Sequence, residues 1–169
     1  MANWKNLKPF ILQWEGGFVN DSSDLGGATN RGITLGAFRT VYGGDKTVAD
    51  LKALTDQQWD NIFRQQYWDK WQGSLLKSQS VANILVDWLW CSGSYGIRIP
   101  QRVLGVTSDG IVGRATLNAA NRQASRALFD RLRQERIDFI DRICKTRPEN
   151  KKFRQGWLNR IAALKYTDK

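Results

Sequence analysis

The chain has 169 residues, 41% of them apolar and eight of them Trp, with a formal net charge of +10. That length suits one compact domain, or one domain with a small appended module, and the apolar share can fill a real core. The absence of histidine excludes the usual Ser-His-Asp and Cys-His catalysis and His-based zinc sites; no phosphate-loop or dinucleotide fingerprint occurs, and no stretch approaches the roughly 18 apolar residues of a membrane span.

The first predicted helix carries Trp4, Leu7, Phe10, Ile11 and Trp14 at helical spacing, with Pro9 moving its start towards Leu7. Glu15 stands at its end. At about 100° per residue Glu15 falls beside Trp4 and Ile11 on the apolar face, at the negative end of the helix dipole. A carboxylate there costs free energy unless it is paired, protonated or used. Both surroundings disfavour the charged form, and a glycosidase general acid needs a carboxyl group that keeps its proton near neutral pH. An ordinary helix end with Gly16 as its cap is the plainer reading of the same residues.

Phe18 to Thr34 is dense in Asn, Asp, Ser and Gly, which predicts loop and turn, with short strand-like pieces around Gly26-Gly27. Asp21 and Asp24 follow Glu15 in a loop that Gly16, Gly17, Gly26 and Gly27 allow to fold back. Either can then face Glu15 across a cleft; both equally suit turns in which the side chain binds its own backbone. Retaining glycosidases hold their carboxyl groups roughly 5 Å apart and inverting ones roughly 6.5–9.5 Å, a distance that sequence spacing does not fix. Thr29 and Thr34 supply hydroxyls for a water or a sugar.

Leu35 to Tyr42 reads as a short helix. Thr55-Asp-Gln-Gln58 reads as a capping box opening a helix to about Lys70, with Trp59, Ile62, Phe63 and Tyr67 on one face. Ser80 is expected to cap a helix from Val81 to about Trp90, apolar nearly all round and therefore buried. Its polar side chains are Asn83 and Asp87, with Cys91 next along the same line. Asp87 is expected to bond a neighbouring loop; lining the cleft is its other reading. Further helices are predicted over Ile99 to Val106, Val112 to Asn121, and Ser125 to about Lys145, the last capped by Ser125 and stopped by Arg147-Pro148. A final helix carries Trp157, Leu158 and Ile161. Cys91 and Cys144 lie in apolar helical contexts and are expected to be two buried thiols.

Charge is unevenly divided. Residues 1–95 hold nine Lys+Arg and nine Asp+Glu; residues 96–169 hold seventeen and seven. The basic half suits a polyanion, either nucleic acid or an anionic bacterial wall, and otherwise a solvated basic surface. Phe18, Tyr67, Trp68, Trp71 and Tyr95 are candidates for stacking on sugar rings, against the alternative of ordinary core.

The segment Glu15-Gly-Gly-Phe-Val-Asn-Asp-Ser-Ser-Asp-Leu-Gly-Gly-Ala-Thr-Asn-Arg-Gly-Ile-Thr34 resembles the signature of glycoside hydrolase family 108, bacterial and phage N-acetylmuramidases of lysozyme-like fold. The family pattern runs Glu-Gly-Gly-aromatic, then Asn-Asp-Pro-x-Asp-x-Gly-Gly-x-Thr-x-x-Gly-Ile-Thr, and Ser22 stands here for its Pro. Tyr67-Trp68-Asp69-Lys70 resembles the family's middle helix. Ser80 to Asn83, Asp87-Trp88 and Ser92-Gly93 resemble the start of its C-terminal predicted peptidoglycan-binding region. Gln101 to Gly105, Asp109 to Gly113, Thr116 and Gly156 to Arg160 continue it. Cys91 departs from an expected Asn, which puts any sugar contact at that position in doubt.

The resemblance implies a mostly α, lysozyme-like helical fold with a small irregular, β-like, glycine-rich lobe near the N-terminus. It implies a catalytic region over 1–75 and a helical peptidoglycan-binding region over 76–169, packed as one compact unit. It implies a muramidase that cleaves the β-1,4 bond between N-acetylmuramic acid and N-acetylglucosamine, with Glu15 as general acid. Asp24 and Thr29 are the candidates to assist, and Phe18, Asp21, Thr34, Tyr67, Trp68 and Asp87 the candidates to bind substrate. Neither cofactor nor metal is expected. Peptidoglycan is the expected partner, with no nucleic acid, no membrane span and a monomeric state. Lacking a basic-then-apolar leader, the protein is expected to be made in the cytoplasm and to reach the wall after release or export. The rival readings are a non-catalytic peptidoglycan-binding protein, a secretion activator, a lytic transglycosylase and a nucleic-acid-binding protein.

Overall fold

The computed structural model describes residues 1–20 and 27–168. In chain order its elements are α1 (Lys8–Trp14), β1 (Thr29–Asn30), β2 (Ile33–Thr34), α2 (Leu35–Tyr42), α3 (Val48–Lys52), α4 (Asp56–Phe63), α5 (Gln79–Ser92), α6 (Tyr95–Leu104), α7 (Arg114–Arg122), α8 (Ser125–Thr146) and α9 (Lys151–Ala163). The fold is the mostly helical, lysozyme-like one expected, with its small β element near the N-terminus. The chain divides into two compact units, Trp4–Lys70 and Met1–Asn3 with Trp71–Lys169.

The Trp4–Lys70 unit is assembled from short elements with local signals. Pro9 sits in the first turn of α1, where its missing N–H has no helical partner to lose, and Leu7 and Ile11 point into the core. Threonines open the next three helices: Thr34 accepts from Ala37 N–H, while Thr47 with Asp50 and Thr55 with Gln58 form reciprocal capping boxes. The Thr47 box starts α3, a short helix beyond those that the hydrophobic pattern predicts. After Phe63 the chain continues as a π-helical turn over Arg64–Trp68. Trp59 stacks on Phe63 at 5.0 Å between centroids, and Phe63 on Tyr67 at 6.2 Å.

β1 and β2 pair antiparallel, Thr29 with Thr34 and Asn30 with Ile33. Arg31 (φ 49°) and Gly32 (φ 77°) supply the two successive positive φ angles that a tight two-residue hairpin requires. The β1–β2 hairpin therefore turns at Arg31-Gly32, while Gly26 lies outside the described residues. Val19 forms a separate antiparallel bridge to Thr29.

In the other unit α5 is buried along most of its length, as its all-round apolar pattern predicts. Its cap is Ser78, which accepts from Val81 N–H at 2.9 Å, and not Ser80. The Ser80 hydroxyl is committed elsewhere: it donates to Asp168 Oδ1 and accepts from Thr167 N–H, both at 2.9 Å. Ser125 likewise begins α8 without capping it, and its hydroxyl meets Tyr166 Oη at 2.6 Å.

α6 begins at Tyr95, before the expected Ile99, and carries Pro100 inside it. Proline removes the bond that would close onto the carbonyl four residues earlier, at Gly96. Trp71 Nε1 donates to that Gly96 oxygen at 3.1 Å and satisfies it instead. Gly96 also lets α6 approach α5: a Cβ there would lie 2.3 Å from Leu89 N. Cys144 is buried as expected, but Cys91 is exposed, because the last turn of α5 emerges beside a surface cavity.

Candidate functional site

The candidate acid lies in the Trp4–Lys70 unit. Glu15 is the C-cap of α1, half-buried, with an extended backbone (φ −101°, ψ 139°) and its N–H on Leu12 O at 3.4 Å. It has left the helix, so the helical period no longer sets its direction. Gly16 and Gly17 follow, both exposed, and neither carries a positive φ. Among the described residues, a Cβ on either would meet nothing within 4 Å. Neither glycine is thus required, among the described residues, by a positive φ or by a close contact, and neither places a side chain next to Glu15.

Phe18 is half-buried, with Lys52 Nζ 5.7 Å from its ring centroid. Val19 and Thr29 exchange both backbone bonds at 2.8 Å, closing the loop between them at its base. Asp21 and Asp24 lie in that loop by sequence, outside the described residues. Thr29 is half-buried beside the bridge.

The rest of the signature is occupied with holding its own fold. Asn30 donates from Nδ2 to Leu51 O at 2.9 Å and Lys52 O at 3.2 Å, fixing β1 against the end of α3. Arg31 reaches Asp56 and the Leu54 carbonyl, and its own carbonyl accepts from Trp59 Nε1 at 3.0 Å. Hydrogen bonding and charge from the Arg31 guanidinium hold the exposed Asp56 carboxyl below the usual carboxylate range. Ile33 is fully buried, and the Thr34 hydroxyl caps α2. Asn30, Arg31, Ile33 and Thr34 each have a structural task, whereas Gly16 and Gly17 bring no side chain to the surface after Glu15.

Trp68 and Asp87, two of the candidate substrate contacts, are 0% exposed and present no surface to a ligand as they stand. The apolar faces around them extend fully over these positions. Asp87 does not bond a loop either. Its Oδ2 accepts from Arg136 Nη1 at 2.7 Å, and its Oδ1 from Arg160 Nε at 3.0 Å and Nη2 at 2.8 Å. Tyr67 is half-buried. Trp71 is core, whereas Tyr95 is 58% exposed with its ring on Phe139 at 5.4 Å. Among the described residues no group of His, Cys, Asp or Glu could hold a metal ion, and no helix is long and apolar enough to cross a membrane.

The sequence reading did not find Asn30 and Lys52 as neighbours of this site. The signal for Asn30 was its place between two residues of a tight turn and a strand; Lys52 is brought in by the separate capping box of α3.

Residues 8–93 match the family model described as Glycosyl hydrolase 108, and residues 95–162 match the one described as Predicted Peptidoglycan domain. The solved structure of Brucella abortus SagA is similar at a TM-score of 0.83 and 31% identity, over 95% of this chain and 90% of that one. No curated protein matches the chain.

Proposed function

This chain belongs to glycosyl hydrolase family 108, and from that premise we propose that it is an endo-acting muramidase cutting the β-1,4 bond between N-acetylmuramic acid and N-acetylglucosamine. A peptidoglycan-acting glycosidase follows from the two matched families; the bond and the residues are our reading. Glu15 gives its proton to the bridging oxygen as the bond from the sugar C1 breaks. Asp24 positions the water that adds at C1, takes its proton and steadies the oxocarbenium-like centre. Thr29 assists as a hydroxyl at the base of the loop that carries Asp24; Thr34 is left to cap α2.

The observation that carries this reading is the position of Glu15 at the exposed end of α1. A half-buried carboxyl at a helix end, followed by two exposed glycines that place no side chain beside it, is suited to meet a substrate. The Asp21 and Phe18 side chains are proposed to line the same cleft. The experiment is a digest of purified peptidoglycan followed by product mass spectrometry. The expected products end in reducing N-acetylmuramic acid. Anhydro-muramoyl ends would make the protein a lytic transglycosylase, reducing N-acetylglucosamine ends would move the cut to the other bond, and no release would leave a binding protein.

A further inference from the structure

The unit containing α5 to α9 carries a surface cavity of about 490 Å³ where α6, α8 and α9 meet the end of α5, within the range of about 300–1,000 Å³ usual for ligand pockets. The rings of Tyr95, Phe139 and Trp157 line it, and among the described residues no acidic side chain does. Tyr95 is 58% exposed, with its ring 5.4 Å from that of Phe139. Trp157 is half-buried and packs on the cluster of Ile140, Cys144 and Ile161. The aromatic surface continues along α9, where the Phe153 ring, 49% exposed, lies 5.8 Å from that of Trp157. Phe153, Gly156 and Trp157 stand at i, i+3 and i+4 and share one helix face. Gly156 is exposed in the interior of α9, where glycine is less favourable than alanine. Among the described residues a Cβ there would meet nothing within 4 Å, and its φ is not positive, so its effect is to keep the helix low beside the two rings. Cations flank this surface: Lys152 Nζ stands 4.8 Å from the Phe153 ring centroid, and the exposed Arg102 and Arg147 line the cavity.

We propose that this aromatic face, from Phe153 through Trp157 to Tyr95, binds the glycan strand of peptidoglycan. Flat aromatic rings cover the apolar C–H faces of the sugars, and the cations meet the carboxylates that the muramic residues carry, directly or on their peptides. An exposed apolar patch with a charged rim marks an interaction site. All three aromatic residues fall within the stretch matched as Predicted Peptidoglycan domain. The choice of strand rests on that match and on the proposed function; the sugar-stacking, carboxylate-binding chemistry rests on the face itself.

The test is calorimetric titration of the full chain carrying Glu15→Gln, so that the ligand stays intact, with peptide-free glycan strands of peptidoglycan, with chitin oligosaccharide of equal length and with poly-glutamate. The strand is expected to bind. Chitin, which lacks carboxylates, and poly-glutamate, which lacks sugar rings, are each expected to bind about tenfold more weakly or less. Phe153→Ala removes a ring and Gly156→Gln lays a side chain over the face; both positions are exposed. Each variant is expected to keep the wild-type circular dichroism and to lose about tenfold in strand affinity. No binding of the strand, unchanged affinity in either variant, or equal affinity for chitin or poly-glutamate would overturn the site. Reducing-end release from the strand by the chain with Glu15 intact separates the two proposals. Hydrolysis with strand affinity unchanged in the variants removes the aromatic face alone; affinity lost in the variants without hydrolysis of any substrate removes the muramidase alone.

Discussion

Glu15 and Asp87 are both carboxylates that the sequence places on apolar helical faces, and the structure treats them in opposite ways. Asp87 lies in the middle of α5, fully buried, with both oxygens taken by Arg136 and Arg160. Glu15 lies at the end of α1, half-buried, next to two glycines that contribute no side chain. The first is an internal ion cluster that binds α5 to α8 and α9. The second is a half-buried polar group at a helix end. A carboxylate in an apolar pattern is therefore not in itself a sign of catalysis; what surrounds it decides.

The comparison predicts opposite responses to the same conservative change. Asp87→Asn removes the charge from between two buried guanidinium groups, and breaking such a buried pair costs about 3–5 kcal/mol. Urea denaturation should show that loss, and a change within about 0.5 kcal/mol would mean that the cluster holds little of the fold together.

Gly96→Ala is the next largest. Its Cβ would stand 2.3 Å from Leu89 N, so the α5–α6 contact must open, at a cost of about 1–3 kcal/mol. The thermal midpoint should fall accordingly, and an unchanged midpoint would show that α6 shifts freely against α5. Gly16→Val sets the contrast on the other side. Among the described residues no atom opposes a side chain at Gly16, and its φ is not positive, so stability should move by less than about 0.5 kcal/mol. Peptidoglycan hydrolysis should nevertheless fall, since the new side chain covers the surface beside Glu15. Full activity in a stable Gly16→Val protein would place the cleft elsewhere.

Local rules made much of the fold legible. Leu35 to Tyr42 is a helix with the bounds that its pattern suggests, the Thr55 capping box forms with both bonds, and Pro9 begins α1 where its missing N–H is harmless. What escaped depends on partners distant in the chain. Ser78-Gln-Ser80 offers two equivalent caps until the C-terminal residues claim Ser80, 87 and 88 positions away. Pro100 is tolerated inside α6 because Trp71 replaces the missing donor. Asp87 meets arginines 49 and 73 residues on, which no helical period reveals. At the site, the resemblance points to the whole stretch from Glu15 to Thr34, and the hydrogen bonds show that Asn30 to Thr34 build the hairpin and the cap of α2.

The central claim is that Glu15 serves the reaction and not the fold. Its most direct test is Glu15→Gln, measured for reducing-end release from purified peptidoglycan and for thermal midpoint in the same preparation. The account predicts a fall in rate of about 10²–10⁴-fold, the range expected for a lost general acid, with the midpoint unchanged. Hydrolysis at the wild-type rate by a folded Glu15→Gln protein would contradict it.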